Sequence, residues 1–352
     1  MKLSYTNDQV FKIIQFTDLH YGEGDDRKDQ KSTEFQEHLI DWEQPDLVVF
    51  SGDLISGYGW NGEQGWYEKQ LNQVLSVVRK KQLPYAVLLG NHDTEADLNA
   101  LQIMDLARKD EFSFTSTGLV GVHEERLDYL FPVYKENDTT INFYVAMLYS
   151  GRRGCQEISD SWGCFESYQI KWLESELLKI DENIPIYLFI HIPIPEYNEA
   201  WNQPSTNGSR YESPGTPKVN TGLVDLLVKS QNIITISCGH DHDNDFDSVY
   251  KGIRMVYGRK TGFGGYGPDF DFNRGARVFE IKTNPWEFET HIRSEGGLIE
   301  VQIRKGFETV TLVSFLVAFV ISIIALVGLV KWCRCRRRKM NSMYRLVHDM
   351  ES

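Results

Sequence analysis

Asp18-Leu19-His20, Gly52-Asp53, Gly90-Asn91-His92-Asp93, His191 and Gly239-His240-Asp241-His242 form five short clusters of metal-ligand residues, each at the end of an apolar, strand-like run. One His where a strand ends is ordinarily just a polar exit residue. Five such clusters in order, all oxygen or imidazole donors and none of them thiolate, are hard to obtain by chance. These donors suit borderline-hard divalent ions such as manganese, iron or zinc. Asp18 and His20 lie two apart, on one face of an extended segment where both can reach one ion, and His240 and His242 repeat that spacing. Gly52 permits close backbone approach, the Asp53 carboxylate can bridge two ions, and Asn91 adds a neutral carbonyl oxygen. With His191, His240 and His242 completing two nitrogen-rich shells, the chain reads as built to hold two metal ions at the carboxyl edge of a sheet.

The elements that must position these residues are legible as patterns. Phe11–Phe16, Leu47–Phe50, Tyr85–Leu89, Ile184–Ile190 and Ile233–Ser237 are continuous apolar runs rather than alternating ones, as expected for central strands covered on both faces. Helical patterns fall between them, near Ser32–Trp42, Trp66–Lys80, Glu95–Arg108, Tyr168–Lys179 and Thr221–Lys229. This β-α-β alternation predicts an α/β fold of stacked layers with crossover helices. After the last cluster the pattern turns to β, at Ile253–Tyr257, Ala276–Lys282 and Glu287–Arg293; with Asn142–Leu148 these predict a second sheet packed on the first. Ligands in open α/β sheets gather where strands end, so clusters far apart in sequence can converge.

The series Asp-x-His, Gly-Asp, Gly-Asn-His-Asp, a lone His and Gly-His-x-His resembles the calcineurin-like metallophosphoesterase superfamily, in full and in order across residues 18–242. Within it, Phe16–Gly22, Pro45–Asp53 and Tyr257–Gly262 resemble the subgroup labelled purple acid phosphatase 29-like or Dcr2-like. The resemblance implies two mixed β-sheets flanked by helices. It puts Asp18, His20 and His242 on one ion and Asn91, His191 and His240 on the other, with Asp53 bridging. His92 is then the acid or hydrogen-bond donor at the leaving-group oxygen; the alternatives are a further ligand or an inert neighbour. Purple phosphatases carry a Tyr three residues after the bridging Asp. Ser56 stands there in this chain, which implies a colourless site. Two divalent ions roughly 3.5–4 Å apart generate a hydroxide near neutral pH and clamp phosphoryl oxygens during in-line attack, so no protein nucleophile is needed. The implied activity is hydrolysis of a phosphate ester, monoesters or phosphoproteins ahead of diesters of nucleotides or lipid head groups. A metal-binding scaffold without activity is the reading from another class.

Other candidates are weighed against plainer roles. Asp93 is expected to orient a ligand or cap the helix from Glu95. Asp241 and Asp243, with the run Asp241–Asp247, read as solvent-facing. Arg259 and Lys260 are candidates to grip a substrate phosphate, with surface cations the plain alternative. Tyr58 and Trp60 either line the pocket or pack. His38, His123, His291 and His348 lack partners at ligand spacing.

Composition bounds the rest. The 352 residues are 41% hydrophobic and 25% charged, an ordinary globular balance. The net charge of −13 is uneven: residues 331–352 carry seven Lys/Arg against two Asp/Glu, which leaves the other 330 residues at −18. An acidic body argues against nucleic acid as a partner. Thr309–Val330 contains no charge and no Pro, and at 1.5 Å per residue its length of roughly 33 Å crosses a bilayer. The expected organisation is a catalytic body at 1–294, a linker at 295–308, a membrane helix at 309–330 and a basic tail at 331–352. The cations from Lys331 to Lys339 favour a cytoplasmic tail and a lumenal body. Met1–Gln15 has no apolar signal core, so that orientation expects a leader upstream of this sequence; the alternative is a tail anchor with a cytosolic body. Sequons at Asn137 and Asn207 fit a lumenal body. Cys155 and Cys164 are expected to pair, Cys238 to be a buried thiol, and Cys333 and Cys335 to be palmitoylation candidates. Tyr344-Arg345-Leu346-Val347 fits a tyrosine-based sorting signal.

Overall fold

Phe11–Phe16 (β1), Leu47–Ser51 (β2) and Tyr85–Leu88 (β3) run parallel side by side, Ile14 opposite Val48 and Val48 opposite Tyr85. The structure is a computed structural model that describes residues 2–5, 10–120, 124–136, 139–268, 272–283, 285–306, 319–329 and 331–332. Met1–Arg304 is one compact unit and Lys305–Ser352 a second. In the first unit the sheet of β1–β3 is extended by three antiparallel strands, Gly275–Thr283 beside β1, then Trp286–Ser294, then Leu298–Glu300 at the edge. A seven-stranded sheet has four parallel strands at its centre: Ile141–Met147 (β4), Ile186–Phe189 (β5), Ile233–Cys238 (β6) and Ile253–Tyr257 (β7). Antiparallel neighbours flank these, Tyr129–Lys135 against β4 and Asp247–Tyr250 against β7, and Ser4–Tyr5 adds a parallel edge strand beside Tyr129–Lys135.

The continuous apolar runs have the consequence expected of them. Ile13 and Ile14, on opposite faces of β1, are both fully buried, because one face meets the other sheet and the other meets helices. Between the sheets Phe11 meets Phe143 edge-on at 5.3 Å and Phe189 meets Phe279 at 5.5 Å. Helix Asp26–Glu43 brings Phe35, Leu39 and Ile40 to the core. Helices Ser167–Leu177 and Leu223–Ser230 bring Leu173, Leu177, Val224 and Leu227 to a second cluster with β5 and β6. Two mixed sheets flanked by helices is the observed fold.

Several boundaries differ from expectation. The pattern at Trp66–Lys80 forms two helices, Trp66–Val74 and Ser76–Lys80. The helix expected from Glu95 starts at Ala100, where Asn99 and Gln102 make a reciprocal cap. The turn before it is held otherwise, with Asp97 accepting from the Gly65 and Tyr67 amides. The expected linker is partly ordered: Leu298–Glu300 pairs with Trp286–Ser294, and Glu300 meets a buried Arg259. An unforeseen hairpin, Arg153–Cys155 with Ile158–Trp162, is closed by the expected Cys155–Cys164 disulfide. Cys238 is a buried thiol. Residues 319–329 are helical, and among the described residues no helix is long and apolar enough to cross a membrane. Residues 309–318 and 330, the tail with Cys333, Cys335 and Tyr344, and Asn137, His123 and His348 lie outside the described residues.

Candidate metal centre

All seven predicted donors converge at the ends of β1, β2, β3, β5 and β6. Asp18, His20 and His242 offer one atom each within 4.8 Å of one another, and so do Asp53, His191 and His240. Asn91 joins the second group, its Oδ1 3.2 Å from His191 Nε2. Asp53 lies between the groups, Oδ2 3.0 Å from His191 Nε2 and 3.8 Å from His20 Nε2. His240 and His242, two apart in sequence, therefore serve different groups.

The local backbone explains how. Asp18, His20, Asp53 and His240 all have left-handed φ, at 55°, 50°, 50° and 77°. Asp18 and His20 thus project from left-handed backbone rather than from an extended segment. Such a conformation costs an L-residue about 1–2 kcal/mol. Donors held this way require a surround that fixes them, and strain of this kind collects at functional sites. Here the Asp18 amide donates to the Gly52 carbonyl at 3.1 Å and the His20 amide to the Asp53 carbonyl at 3.0 Å. The His240 amide donates to Asp18 and the His92 amide to Asp53 Oδ1 at 2.8 Å. Gly52, at φ 103°, lies so close to His191 that a Cβ would sit 2.4 Å from Nδ1.

Hydrogen bonds fix which ring nitrogens point inward. His191 Nδ1 meets the Ser51 carbonyl at 3.0 Å and His242 Nδ1 the Tyr266 carbonyl at 2.8 Å. A carbonyl only accepts, so each Nδ1 carries its proton and each Nε2 presents a lone pair. The His191 lone pair faces Asn91 Oδ1 and Asp53 Oδ2; that of His242 faces His20 Nε2 at 3.1 Å and Asp18 Oδ1 at 3.5 Å. The His191 lone pair and its two oxygen neighbours share one positive charge, a metal ion or a proton. The donor set fits two divalent ions held by nitrogen and oxygen.

Without such ions, protons compensate the charge. Burial alone would lower His191, but the Asp53 carboxylate outweighs it and holds His191 up at about 9. Burial, then the charge on His191, pushes His240 down to about 3. Burial and Lys260 push His20 and His242 below the ordinary imidazole range. Against their burial, neighbouring imidazoles hold Asp18 and Asp53 below the usual carboxylate range.

His92 stands apart from both donor groups and lines a cavity of about 550 Å³ over them. Its Nδ1 is 2.9 Å from Glu95, with 38% of the side chain exposed. Burial alone would lower it, but Glu95 and Asp53 raise it to about 8. Asp93 is fully buried and caps no helix. It accepts from the Leu54, Ile55 and Gly90 amides and from Tyr67 OH, tying the loop after β2 to the loop after β3.

Four expectations about neighbouring residues meet a different geometry. Asp241 and Asp243 are buried rather than solvent-facing. Asp241 accepts from Tyr257 OH at 2.6 Å and from the Gly215 amide, and burial raises it to about 8. Arg259 is 1% exposed and bonds Asp245, Glu300 and the Asn273 carbonyl, so its cation is occupied in holding the fold. Lys260, also 1% exposed, donates to the Asp18 carbonyl at 3.0 Å. Neither lines the cavity. Tyr58 does, whereas Trp60 turns its ring N–H to the Glu63 carbonyl. His38 is exposed beside Trp42, and His291 meets Glu43.

Glu95, Trp162, Glu212 and Tyr266 line the cavity without being marked in the sequence. Trp162 meets His240 edge-on at 4.4 Å, and Tyr266 stacks on His242 at 3.9 Å. Glu95 carried a signal, since an acidic residue three after His92 can fold back on it. Trp162 arrives on the unforeseen hairpin and Glu212 and Tyr266 on loops, all without a motif.

A two-sheet α/β body with adjoining nitrogen and oxygen donor groups at its strand ends defines a protein suited to a pair of divalent ions. Residues 11–244 match the family described as calcineurin-like phosphoesterase, and the chain belongs to that family. It is 29% identical over 314 residues to "Probable inactive purple acid phosphatase 28" of Arabidopsis thaliana, covering 80% of this chain and 78% of that protein. It is 28% identical over 333 residues to "Phosphatase DCR2" of Saccharomyces cerevisiae, covering 85% of this chain and 56% of that one. A dimetal phosphatase from Danio rerio shares the fold, with a TM-score of 0.55 at 15% identity, across 84% of this chain and 99% of the other.

Proposed function

We propose that this chain is a dinuclear-metal phosphoric ester hydrolase with phosphomonoesters or phosphoproteins as its preferred substrates. The observation that carries the reading is the placement of Asp53 between two complete donor groups, Asp18/His20/His242 and Asn91/His191/His240, beneath an open cavity. A bound pair of divalent ions supplies a nucleophile from water near neutral pH and neutralises charge on the phosphoryl oxygens. The chain's own residues do the rest. Asp93 fixes the two loops that deliver Asp53 and Asn91. His92, with Nδ1 on Glu95 and a proton retained up to about pH 8, donates from Nε2 to the departing oxygen.

Substituting Asp53→Asn abolishes hydrolysis of p-nitrophenyl phosphate while circular dichroism stays unchanged; undiminished turnover refutes the bridging role. Activity on bis-p-nitrophenyl phosphate alone would move the substrate class to diesters. The name of the plant relative, "Probable inactive", belongs to that protein, and it favours a second reading, a metal-binding scaffold. Two bound metals with neither mono- nor diester turnover would establish it.

Membrane anchoring through residues 309–330 with a lumenal body belongs to the same proposal. Its supports are the uncharged composition of that stretch, the Cys155–Cys164 disulfide, a feature of oxidising compartments, and the exposed Asn207 in its sequon. A loss of mass on endoglycosidase treatment that Asn207→Gln and Asn137→Gln together remove tests the orientation. A cytosolic body would show no such loss.

A further inference from the structure

The cavity over the donor groups has a one-sided charge. Glu23, Glu95 and Glu212 line it, and among the described residues no Lys or Arg does. Glu212 accepts from Tyr266 OH at 2.9 Å and from the Asp243 amide at 2.8 Å. Glu23 accepts from the Gly265 amide at 2.6 Å. These are neutral donors, which orient a carboxylate without cancelling its charge. Glu95 faces His92 at 2.9 Å, and the nearest guanidinium to it, Arg152, is 3.9 Å away.

Aromatic rings stand among these carboxylates. Tyr266 is 52% exposed and Tyr58 87% exposed, and Trp162 joins them in the wall. The Trp162 face already carries one cation, the Arg153 guanidinium at 4.3 Å. Carboxylates beside exposed ring faces are the surroundings that an ammonium group prefers. Two divalent ions offset Asp18, Asp53 and a phosphate, but no Lys or Arg of the wall pairs with Glu212, and Glu23 has, beside its amide donor, only the His20 ring, at 3.7 Å. A second anionic group on the substrate is repelled there.

We infer that the cavity selects phosphate esters whose alcohol portion carries an ammonium group, an inference that rests on the hydrolase reading above. Glu212 and Tyr266 form the cation-binding wall of the cavity that His92 also lines. A cavity of about 550 Å³ has the size of a small-molecule site.

The test uses the full-length chain loaded with manganese and three esters of similar size: phosphocholine, its uncharged isostere 3,3-dimethylbutyl phosphate, and 3-phosphoglycerate. The expected kcat/KM falls in that order, with roughly tenfold between the first two, the scale of one desolvated cation–ring contact with a carboxylate beside it. Glu212→Gln and Tyr266→Leu each bring the ratio of the first two towards one, whereas Tyr266→Phe, which keeps the ring, retains most of it. A second readout needs no turnover: equilibrium binding of choline against 3,3-dimethylbutan-1-ol, with the same expected preference and the same losses. Equal turnover of the charged and uncharged esters by the unmodified chain overturns the inference and leaves the hydrolase reading intact. No turnover of any ester, with choline still preferred, overturns the hydrolase reading and leaves the cation wall standing. Absence of preference in binding overturns the wall.

Discussion

Replacing Gly52 by Ala strikes the contact that aligns His191, and its cost can be worked from the geometry. Gly52 sits at φ 103°, and a Cβ there would lie 2.4 Å from His191 Nδ1, 2.5 Å from its Cγ and 2.8 Å from the Gly90 Cα. The left-handed backbone costs an Ala about 1 kcal/mol or more. Overpacking a filled site costs about 1–3 kcal/mol. Pushing the ring away also breaks the Nδ1–Ser51 carbonyl bond, a further loss of about 1 kcal/mol. The sum is roughly 4 kcal/mol. Gly62→Ala is the control, because Gly62 has φ 90° and nothing within 4 Å of its added Cβ. It should lose only the backbone part. The assay is urea unfolding of both variants in chelator, which removes metal binding from the comparison, followed by metal analysis of the loaded proteins. The account expects Gly52→Ala to fall about 3 kcal/mol below the control and to lose metal from the second donor group. Equal stability of the two variants, with two metals retained in both, would refute the reasoning.

Other consequences follow from the same contacts. His92 is raised to about 8, so its proton is present at neutral pH and lost as pH rises through that value. The alkaline limb of kcat/KM should fall at or below that value, because Asp53 contributes to it only without metal. Metal ions compensate Asp53, so Glu95 is the support that remains, and Glu95→Gln should move the limb to lower pH; an unmoved limb assigns it to another group. Arg259→Ala removes the counter-charge of buried Asp245 and leaves it only neutral donors, the Ser209 amide and the Gln302 side chain, a loss of about 3 kcal/mol in urea unfolding. KM for p-nitrophenyl phosphate should stay constant, whereas a raised KM with unchanged stability would restore Arg259 as a phosphate ligand. Without metal, His191 is raised to about 9 while burial keeps His240 neutral. Loading at pH 7.5 should therefore release about one proton from His191 beside the one lost by metal-bound water, and the His191 share should fade as pH rises past 9, measured with an indicator dye in weak buffer.

What could be read from the sequence divides along physical lines. Strands buried on both faces are continuous apolar runs, so Phe11–Phe16 and Ile253–Tyr257 were legible to the residue. The convergence of the clusters was legible, because a residue just past a central strand has only one place to go, whereas their division between two groups was implied by the family resemblance. Leu298–Glu300 was not legible as a strand: three residues show no period, and Arg259 on Glu300 and pairing to Trp286–Ser294 hold them. The run Asp241–Asp247 looked solvated because dense acidic stretches usually are. Its carboxylates instead serve buried partners, Asp241 for Tyr257, Asp245 for Arg259 and Asp247 for Arg254. Sequence proximity carries no record of those partners. The cavity walls were hidden for the same reason, since Trp162 reaches His240 on a hairpin closed by Cys155–Cys164, and Tyr266 reaches His242 from a glycine-rich loop.

The most direct measurement is anomalous scattering from a crystal of the manganese-loaded body, collected at the metal edge. Two peaks are expected, one bounded by Asp18, His20 and His242 and the other by Asn91, His191 and His240, with Asp53 touching both. A single peak, or peaks outside these seven side chains, would contradict it.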